Sequence, residues 1–193
     1  MSTEPEPLTV ADVAAWRAWL NRHEDDSDGV WLTLAKKGVT VPTSLTYAQA
    51  LPEALCSGWI DGQAKRLDDQ TYRQRFTPRR KRSLWSQRNV GFVAGLIEQG
   101  RMRPRGHTEI ERAKADGRWD RAYAGPASAQ VPEDLIAALA ARPDAGERFE
   151  ALSGQDRYLL LHQLMTATTP AVRAARLQRI VAGLAHGRPP AAP

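Results

Sequence analysis

The stretch Lys65-Arg-Leu-Asp-Asp-Gln-Thr-Tyr-Arg-Gln-Arg-Phe-Thr77 decides the fold class of this chain. Residues 65–67 and 71–77 alternate in the manner of two short strands, and Asp68-Asp69-Gln70 between them is typical of a bend. The stretch therefore predicts an antiparallel hairpin. The β-branched and aromatic segment Val30-Trp-Leu-Thr-Leu-Ala35, which is bounded by glycines, predicts a further strand.

Apolar residues at helical spacing surround these strands. Four helices are predicted in the N-terminal part: residues 10–22 after Thr9 as N-cap, 47–57 after a Thr46–Gln49 capping box, a helix that buries Val90, Val93, Leu96 and Ile97 and stops at Gly100, and a helix from 106 to 115. Pro52 is expected to kink or shorten the second helix. The segment Gly58-Trp-Ile-Asp-Gly62 is predicted to be a tight turn.

Small and polar residues from 124 to 130 predict a linker, and the composition changes after it. Prolines at 132, 143 and 170 stand where the first position of a helix is expected. Helices are predicted over residues 132–141, 144–152, 155–167 and 170–186. The fold class is therefore α+β: an α/β domain over residues 1–123 with a few short antiparallel strands and helices, a C-terminal helical domain over residues 131–187, and a disordered tail over residues 188–193.

The positive charge of the chain is concentrated in its middle. The 193 residues carry a net charge of +5, but residues 65–121 alone hold 16 basic and 7 acidic side chains. The densest part is Arg79-Arg80-Lys81-Arg82. A local positive field attracts phosphates, nucleic acid or acidic protein surfaces, whereas a solvated face with acidic neighbours is the simpler interpretation.

The composition excludes several classes of function. Cys56 is the only cysteine, which rules out an internal disulfide and a multi-cysteine zinc site. The four histidines have no metal-binding spacing, so no metal or other cofactor is predicted. No stretch approaches the roughly 18 apolar residues of a membrane span. The N-terminus is acidic and lacks the apolar core of a secretory signal, so the chain is expected in the cytoplasm.

The most informative candidate site is the run Phe76-Thr-Pro-Arg-Arg-Lys-Arg-Ser-Leu-Trp-Ser-Gln-Arg-Asn89. It places cations, hydroxyls and an amide directly before a predicted helix, whose N-terminus presents unpaired N–H groups and positive potential. The run predicts an anion-binding site with these ligand candidates: Arg79, Arg80, Ser83, Trp85, Ser86 and Asn89. The alternative is that Ser83 or Ser86 only caps the helix while Trp85 fills the core.

A second group of candidates lies just before the hairpin. Trp59, Asp61 and Lys65 are predicted to bind ligand together with the run above. If the protein is an enzyme, these three share one pocket with residues 79–89, and Asp61 acts as the base. The alternative is that Asp61 stabilises its own turn through its side chain. The favoured prediction assigns no catalytic residue.

Several separated runs carry one resemblance. They are Glu53-Ala-Leu-Cys-Ser-Gly-Trp-Ile-Asp-Gly-Gln63, Phe76-Thr-Pro-Arg-Arg80 with Ser83-Leu-Trp-Ser-Gln-Arg-Asn89, Gly100-Arg-Met102, Ala113-Lys-Ala-Asp-Gly-Arg-Trp119, Val131-Pro-Glu-Asp-Leu135 and Phe149-Glu-Ala-Leu-Ser153. Over residues 10 to 187 the chain resembles the YdeI/OmpD-associated family, also named bacteriocin-protection proteins. The resemblance implies a small cytosolic bacterial protein linked to antimicrobial-peptide or bacteriocin tolerance and, indirectly, to a porin. It supplies no catalytic residues.

The sequence therefore favours a non-enzymatic stress-tolerance protein that binds an anionic small molecule or an acidic protein surface through residues 79–89. Two alternatives stay open. A cleft between Asp61 and Asn89 would favour the enzyme. Salt-sensitive binding to DNA or RNA would favour the nucleic-acid-binding protein, because phosphate contacts weaken as salt rises.

Overall fold

The computed structural model describes residues 6–187 of the chain. The elements are α1 (Val13–His23), β1 (Val30–Ala35), α2 (Tyr47–Cys56), β2 (Trp59–Arg66), β3 (Thr71–Pro78), α3 (Gln87–Glu98), α4 (Pro104–Ala115), α5 (Glu133–Ala140), α6 (Pro143–Glu150), α7 (Gly154–Met165) and α8 (Pro170–Ala185). Among the described residues this gives eight helices and one antiparallel sheet of three strands. The predicted α+β class is confirmed.

The chain divides into two compact units. Unit one holds the described residues up to Ser83 together with Asn89–Trp119. Unit two holds Leu84–Arg88 together with the described residues from Asp120 onward. The chain therefore leaves unit one just before α3 and returns to it within the first turn of that helix. The linker predicted at residues 124–130 stays a prediction.

The sheet confirms the predicted hairpin and the predicted strand at residues 30–35. Its strand order is β1-β3-β2, so the second hairpin strand lies in the middle and pairs with both neighbours. The bend of the hairpin is held by the carboxylate of Asp68, which accepts hydrogen bonds from the N–H of Gln70, the N–H of Thr71 and the Thr71 hydroxyl at 2.7–2.8 Å. This side-chain bonding to nearby backbone is why an Asp-rich sequence turns here.

β2 corrects the prediction of a tight turn over residues 58–62. Only Ser57 and Gly58 turn, the latter with φ +68°, and Trp59 already pairs with Pro78 of β3. The backbone groups of residues 59–61 are satisfied by a strand distant in sequence, which local turn propensity does not reveal. Asp61 therefore does not stabilise a turn.

Aromatic rings dominate the core between the sheet and α1. Trp16 stacks on Trp19 with ring centroids 5.3 Å apart and meets Phe76 at 5.7 Å. Trp19 contacts the ring of Trp59 at 5.8 Å in an edge-on arrangement. Burial of such rings stabilises the fold by about 1.5–3 kcal/mol each. Because Arg17 follows Trp16 in the chain, this packing also fixes where Arg17 lies.

The beginnings of the N-terminal helices differ from the prediction at one point. The N-cap of α1 is Asp12, whose carboxylate accepts a hydrogen bond from the N–H of Ala15 at 2.9 Å. Thr9 was the predicted cap, but its hydroxyl instead bonds to that of Thr33 in β1, 2.8 Å away. The capping box before α2 is confirmed, and the helix runs through Pro52 to Cys56 rather than ending there.

The helix α3 begins at Gln87, directly after Ser86. Ser83 does not stand at its start; the Ser83 hydroxyl accepts a hydrogen bond from the N–H of Arg80 at 2.8 Å. Four residues of this helix are predicted to be buried. Val93 and Leu96 are buried in the structure, and Val90 is half-buried. The prediction for Ile97 is wrong, since 42% of this residue is exposed.

Four helices, α5 to α8, build unit two around a core of their own. Its buried members include Leu135, Phe149, Leu161, Leu164, Ile180 and Leu184. The four helices predicted here are confirmed, with small shifts of their bounds. Pro143 and Pro170 begin their helices as predicted, whereas Pro132 is the N-cap residue of α5. The tail predicted at residues 188–193 lies outside the described residues.

His162 of α7 makes the stability of unit two depend on pH. Its ring lies against Tyr123 and Tyr158, with centroids 4.7 and 5.9 Å away. Burial, together with the charge of Arg176, holds the pKa of His162 below its ordinary value. Between that pKa and the ordinary histidine pKa of about 6.5, the unfolded chain binds more protons than the folded chain. The neutral His162 ring therefore makes its full contribution to the free energy of unfolding above about pH 7. That contribution is lost as the pH falls through the pKa of His162 in the folded chain.

We expect His162→Gln to flatten the decline in the free energy of unfolding between about pH 7 and 5.5, a range above the titration of ordinary carboxyl groups. Urea unfolding at a series of pH values measures this. His107→Gln, at an exposed position of α4, is the matched control and should leave the decline unchanged. Equal slopes for the wild type and His162→Gln would contradict the prediction.

Candidate functional site

Three arginines of unit one converge on the buried carboxylate of Glu53. Glu53 lies on α2 and is 2% exposed. Arg17 comes from α1, while Arg101 and Arg103 come from the segment between α3 and α4. We call these four residues, together with Glu24, the arginine cluster.

The segment that carries two of the arginines is held by backbone bonds at both ends. Gly100 adopts φ +66°, and the N–H groups of Gly100 and Arg101 donate to the carbonyls of Ile97 and Leu96. These two bonds form a Schellman motif, which glycine favours because the left-handed conformation suits it. The N–H of Arg103 donates to the carbonyl of Cys56 at 3.1 Å. The segment is thereby fixed against the end of α2.

The contacts within the arginine cluster are short and directional. Arg17 binds Glu53 with two donors, Nε to Oε2 at 2.9 Å and Nη2 to Oε1 at 2.7 Å. Arg101 donates from Nη2 to Oε1 at 2.6 Å. Arg103 has Nη2 3.8 Å from Oε2 of Glu53 and donates from Nη1 to Glu24 at 2.9 Å. Such charge-assisted forks fix the planes of the guanidinium groups.

The arginine cluster holds more positive than negative charge. Its three guanidinium groups face two carboxylates, Glu53 and Glu24. Burial disfavours the ionised form of Glu53, but hydrogen bonds and charges from Arg17 and Arg101 outweigh it and hold the pKa of Glu53 below its ordinary value. Glu53 is therefore ionised at neutral pH. One positive charge remains without a carboxylate of the cluster to balance it.

A cavity of about 320 Å³ opens at this place and is lined by Arg17, Glu53, Arg101 and Arg103. The side chains of Arg17 and Arg101 are 50% and 38% exposed, so both present donors to solvent while Glu53 holds them from below. Arg103 is more enclosed, at 16%. An excess of fixed guanidinium groups around a small cavity is suited to binding an anion.

The cavity is less suited to acid–base or nucleophilic chemistry. A carboxyl group with a lowered pKa, such as Glu53, is a weak base at neutral pH. Cys56 follows Glu53 one helical turn later, and burial and the nearby Glu53 charge raise the pKa of its thiol. A buried thiol with a raised pKa is a poor nucleophile, because the thiolate is the reactive form.

The structure does not bring Trp59, Asp61 and Lys65 to one side of the sheet. Trp59 is fully buried in the aromatic core, and its Nε1 donates to the carbonyl of Glu24 at 3.3 Å. Asp61 accepts from the Tyr47 hydroxyl at 2.8 Å. Lys65 follows a register shift in β2 and pairs with Arg73, so its side chain lies on the opposite face from Asp61.

The predicted run at residues 79–89 is shared between the two units. In unit one, Arg79 and Asn89 are buried, while Arg80 is exposed. Ser83 also belongs to unit one, and its carbonyl accepts from Arg118. In unit two, the segment with Trp85 and Ser86 pairs with Tyr123, and Trp85 is only 3% exposed, as the core-filling alternative predicts. Anion binding by this run stays a prediction.

Sequence reasoning missed the arginine cluster, although part of its signal was visible. Glu53 and Arg101 stand in two of the runs that carry the family resemblance. Glu53 also lies among Ala50, Leu51, Ala54 and Leu55 of α2, where a charged residue is unusual unless it is paired. That pattern predicts that Glu53 has buried cationic partners. Only the packing of α1 and of residues 99–103 onto α2 shows which residues these partners are.

Unit two has a larger cavity of about 570 Å³, between the end of α7 and the start of α8. Its walls include Tyr123, Leu164, Met165 and Pro170. Arg173 also lines it, but the guanidinium of Arg173 binds both carboxylate oxygens of Asp134 at 2.8 and 2.9 Å. Arg121 also lines this cavity, so the pairing with Asp134 balances one of its two cationic groups. The arginine cluster, in which three guanidinium groups converge on one cavity, is the stronger candidate for an anion.

Two further structural findings bear on function. Within residues 6–187, no helix is long and apolar enough to cross a membrane. Over the same described range, no three His, Cys, Asp or Glu side chains come together in a way that could hold a metal ion.

Two family models match the chain. The model described as a domain of unknown function (DUF8412) matches residues 8–109, which include the arginine cluster. The model described as bacteriocin-protection, YdeI or OmpD-associated matches residues 128–187 in unit two. Neither a curated protein nor a solved structure matches the chain. The named family thus covers the C-terminal runs of the resemblance, while the runs from Glu53 to Met102 fall within the other match.

Proposed function

Because the chain belongs to the DUF8412 family through residues 8–109 and carries a bacteriocin-protection, YdeI or OmpD-associated domain at residues 128–187, we propose that it is a non-enzymatic binding protein for a small anion. The arginine cluster is the binding site. One observation carries the proposal. Three guanidinium groups converge on Glu53 and line a cavity, and two of these groups are also exposed to solvent.

The cluster is preorganised for its ligand. An isolated surface arginine must lose side-chain freedom when it binds, which costs about 0.5–1.5 kcal/mol per side chain. Arg17 and Arg101 have already lost that freedom to Glu53, so the cost is met on folding rather than on binding. Both side chains line the cavity, and Arg101 is held further by its Nη1, which donates to Oε1 of Gln99 at 3.2 Å.

The ligand class follows from the geometry of the donors. Guanidinium groups offer paired N–H donors that match the oxygens of a carboxylate or a phosphate. A cavity of about 320 Å³ lies at the small end of ligand sites. The ligand we propose is therefore a small phosphate or carboxylate anion, such as one that carries two negative charges.

The biological setting is a proposal taken from the C-terminal domain. The match to a bacteriocin-protection family supports a role in tolerance to bacteriocins or antimicrobial peptides, in which the bound anion acts as ligand or signal. We propose the cytoplasm as its compartment, which agrees with a single, buried and unpaired thiol at Cys56.

A titration of the full chain with inorganic phosphate, pyrophosphate and succinate tests the binding proposal. We expect the Nε–Hε resonances of Arg17 and Arg101 to shift in a saturable manner, with an affinity that falls as salt rises because the contacts are ionic. Sodium chloride alone at matched ionic strength is the control. Absence of saturable shifts with all three anions, or shifts confined to Arg80 and Arg82, would overturn the assignment.

A further inference from the structure

The cavity of the arginine cluster combines hydrogen-bond donors with an acceptor. Guanidinium groups carry only N–H donors, and three of them line this cavity, from Arg17, Arg101 and Arg103. Glu53 lines the same cavity, and an ionised carboxylate can only accept hydrogen bonds. A ligand in the cavity therefore meets an acceptor as well as donors, and the acceptor limits which anions fit.

One oxygen of the Glu53 carboxylate has room for a further hydrogen bond. Oε1 accepts from the Nη2 of Arg17 at 2.7 Å and from the Nη2 of Arg101 at 2.6 Å. Oε2 accepts from the Nε of Arg17 at 2.9 Å, and within residues 6–187 this is its one hydrogen bond. The Nη2 of Arg103, at 3.8 Å, lies beyond hydrogen-bond distance. Since each carboxylate oxygen has two lone pairs, Oε2 can accept once more.

An ionised Glu53 discriminates between anions that carry the same charge. Arg17 and Arg101 are both bonded to the Glu53 carboxylate, so an oxyanion bound by these two arginines brings its own oxygens close to that carboxylate. Two anionic oxygens in contact repel each other. An O–H group on the anion instead donates to the carboxylate, and such a charge-assisted hydrogen bond is short and strong. The cavity therefore favours an oxyanion that still carries a proton.

We propose that the arginine cluster selects free hydrogen phosphate, whose P–OH group donates to Oε2 of Glu53 while its other oxygens accept from Arg17 and Arg101. This inference rests on the anion-binding function proposed above and narrows its ligand class. Carboxylate ligands carry no proton at neutral pH, and neither does sulfate. A phosphate monoester has lost most of its remaining proton there, since its second pKa is about 6. Hydrogen phosphate keeps a P–OH group.

Glu53 accepts this hydrogen bond without removing the proton. Burial raises the pKa of Glu53, but hydrogen bonds and charges from Arg17 and Arg101 lower it by more, so the carboxyl group is a stronger acid than usual. The P–OH group of hydrogen phosphate is a far weaker acid, and the proton stays on the ligand. No covalent bond forms or breaks in this contact. Glu53 is therefore a specificity-determining residue of a binding site.

Isothermal titration calorimetry of the full chain with three dianions tests the proposal, at about pH 8 and fixed ionic strength. The dianions are hydrogen phosphate, sulfate and monofluorophosphate, in which fluorine replaces the hydroxyl group. We expect hydrogen phosphate to bind at least about tenfold more tightly than the other two, because only it donates to a charged acceptor. Affinities within about threefold of one another would overturn the selectivity and leave anion binding intact. Absence of saturable binding by all three would overturn the anion site itself.

Two variants separate the acceptor from the donors of the site. Glu53→Gln should reduce the preference for hydrogen phosphate over sulfate to less than about threefold, because an amide donates to sulfate as readily as it accepts from phosphate. Arg101→Gln, the matched control, removes a donor and should weaken both anions alike, with the preference unchanged. A preference that persists in a folded Glu53→Gln variant would overturn the role of Glu53. If that variant does not fold, the three dianions on the wild type decide the proposal.

Discussion

Replacing Glu53 with glutamine is expected to lower the free energy of unfolding by about 3 kcal/mol, the lower end for breaking a buried ion pair. Glutamine keeps the shape of the side chain but removes the charge on which Arg17, Arg101 and Arg103 converge. The loss is not larger because the side chains of Arg17 and Arg101 are 50% and 38% exposed, so water relieves part of their uncompensated charge.

Chemical denaturation monitored by tryptophan fluorescence measures this loss. The matched control is Glu111→Gln on α4, whose carboxylate is 68% exposed and pairs with Lys114 along one helix. A pair of that kind is worth about 0.3–0.5 kcal/mol, so the control should change little. Equal effects of the two substitutions would show that the arginine cluster does not depend on Glu53.

Gly106→Ala is expected to destabilise the protein by at least about 2 kcal/mol, although the same substitution in an unhindered helix stabilises by about 1 kcal/mol. A Cβ added at Gly106 would lie 2.3 Å from the carbonyl oxygen of Cys56 and 2.6 Å from the methyl group of Met102. The carbonyl belongs to the backbone, so α4 and α2 must separate. Because Arg103 is bonded to that same carbonyl, the substitution should also disturb the arginine cluster.

Gly91→Ala in α3 is the control for this prediction. A Cβ at Gly91 meets nothing within 4 Å, so only helix propensity acts, and we expect a gain of about 0.5–1 kcal/mol. Thermal or urea unfolding of both variants gives the comparison. If Gly106→Ala stabilises the protein as Gly91→Ala does, the close approach of α2 and α4 described above is incorrect.

The parts of the fold that depend on local chemistry could be predicted from the sequence. The bend at Asp68 is made by one side chain bonding to its neighbours, and the capping box at Thr46 is a contact within one helical turn. The helices of unit two could also be predicted, because proline and glycine punctuate them locally. In each of these features, the residues that interact lie close together in the sequence.

The parts that depend on distant partners could not be predicted. The sequence of the first half of β2 predicts a turn. Its hydrogen-bonding partner, β3, follows only after a register shift and a bend, so local sequence does not indicate the pairing. Thr9 is predicted to be a helix cap because it stands just before an amphipathic segment. Its hydrogen-bonding partner, Thr33, lies 24 residues away in a strand, which local sequence does not show. The arginine cluster has the same origin: Glu53 could be recognised as an unusual buried charge, but Arg17 and Arg101 lie 36 and 48 residues away from it.

The most direct test of the central claim is the pyrophosphate affinity of two variants, Arg101→Gln and Arg82→Gln, measured by isothermal titration calorimetry at fixed ionic strength. Both lose one positive charge in unit one, but only Arg101 lines the cavity over Glu53, whereas Arg82 is exposed in the run at residues 79–89. We expect Arg101→Gln to raise Kd at least tenfold, because a hydrogen bond to a charged group is worth about 1.5–3 kcal/mol. Arg82→Gln should change Kd less than twofold. Unchanged affinity in Arg101→Gln with a tenfold loss in Arg82→Gln would contradict the assignment and place the anion in the run at residues 79–89.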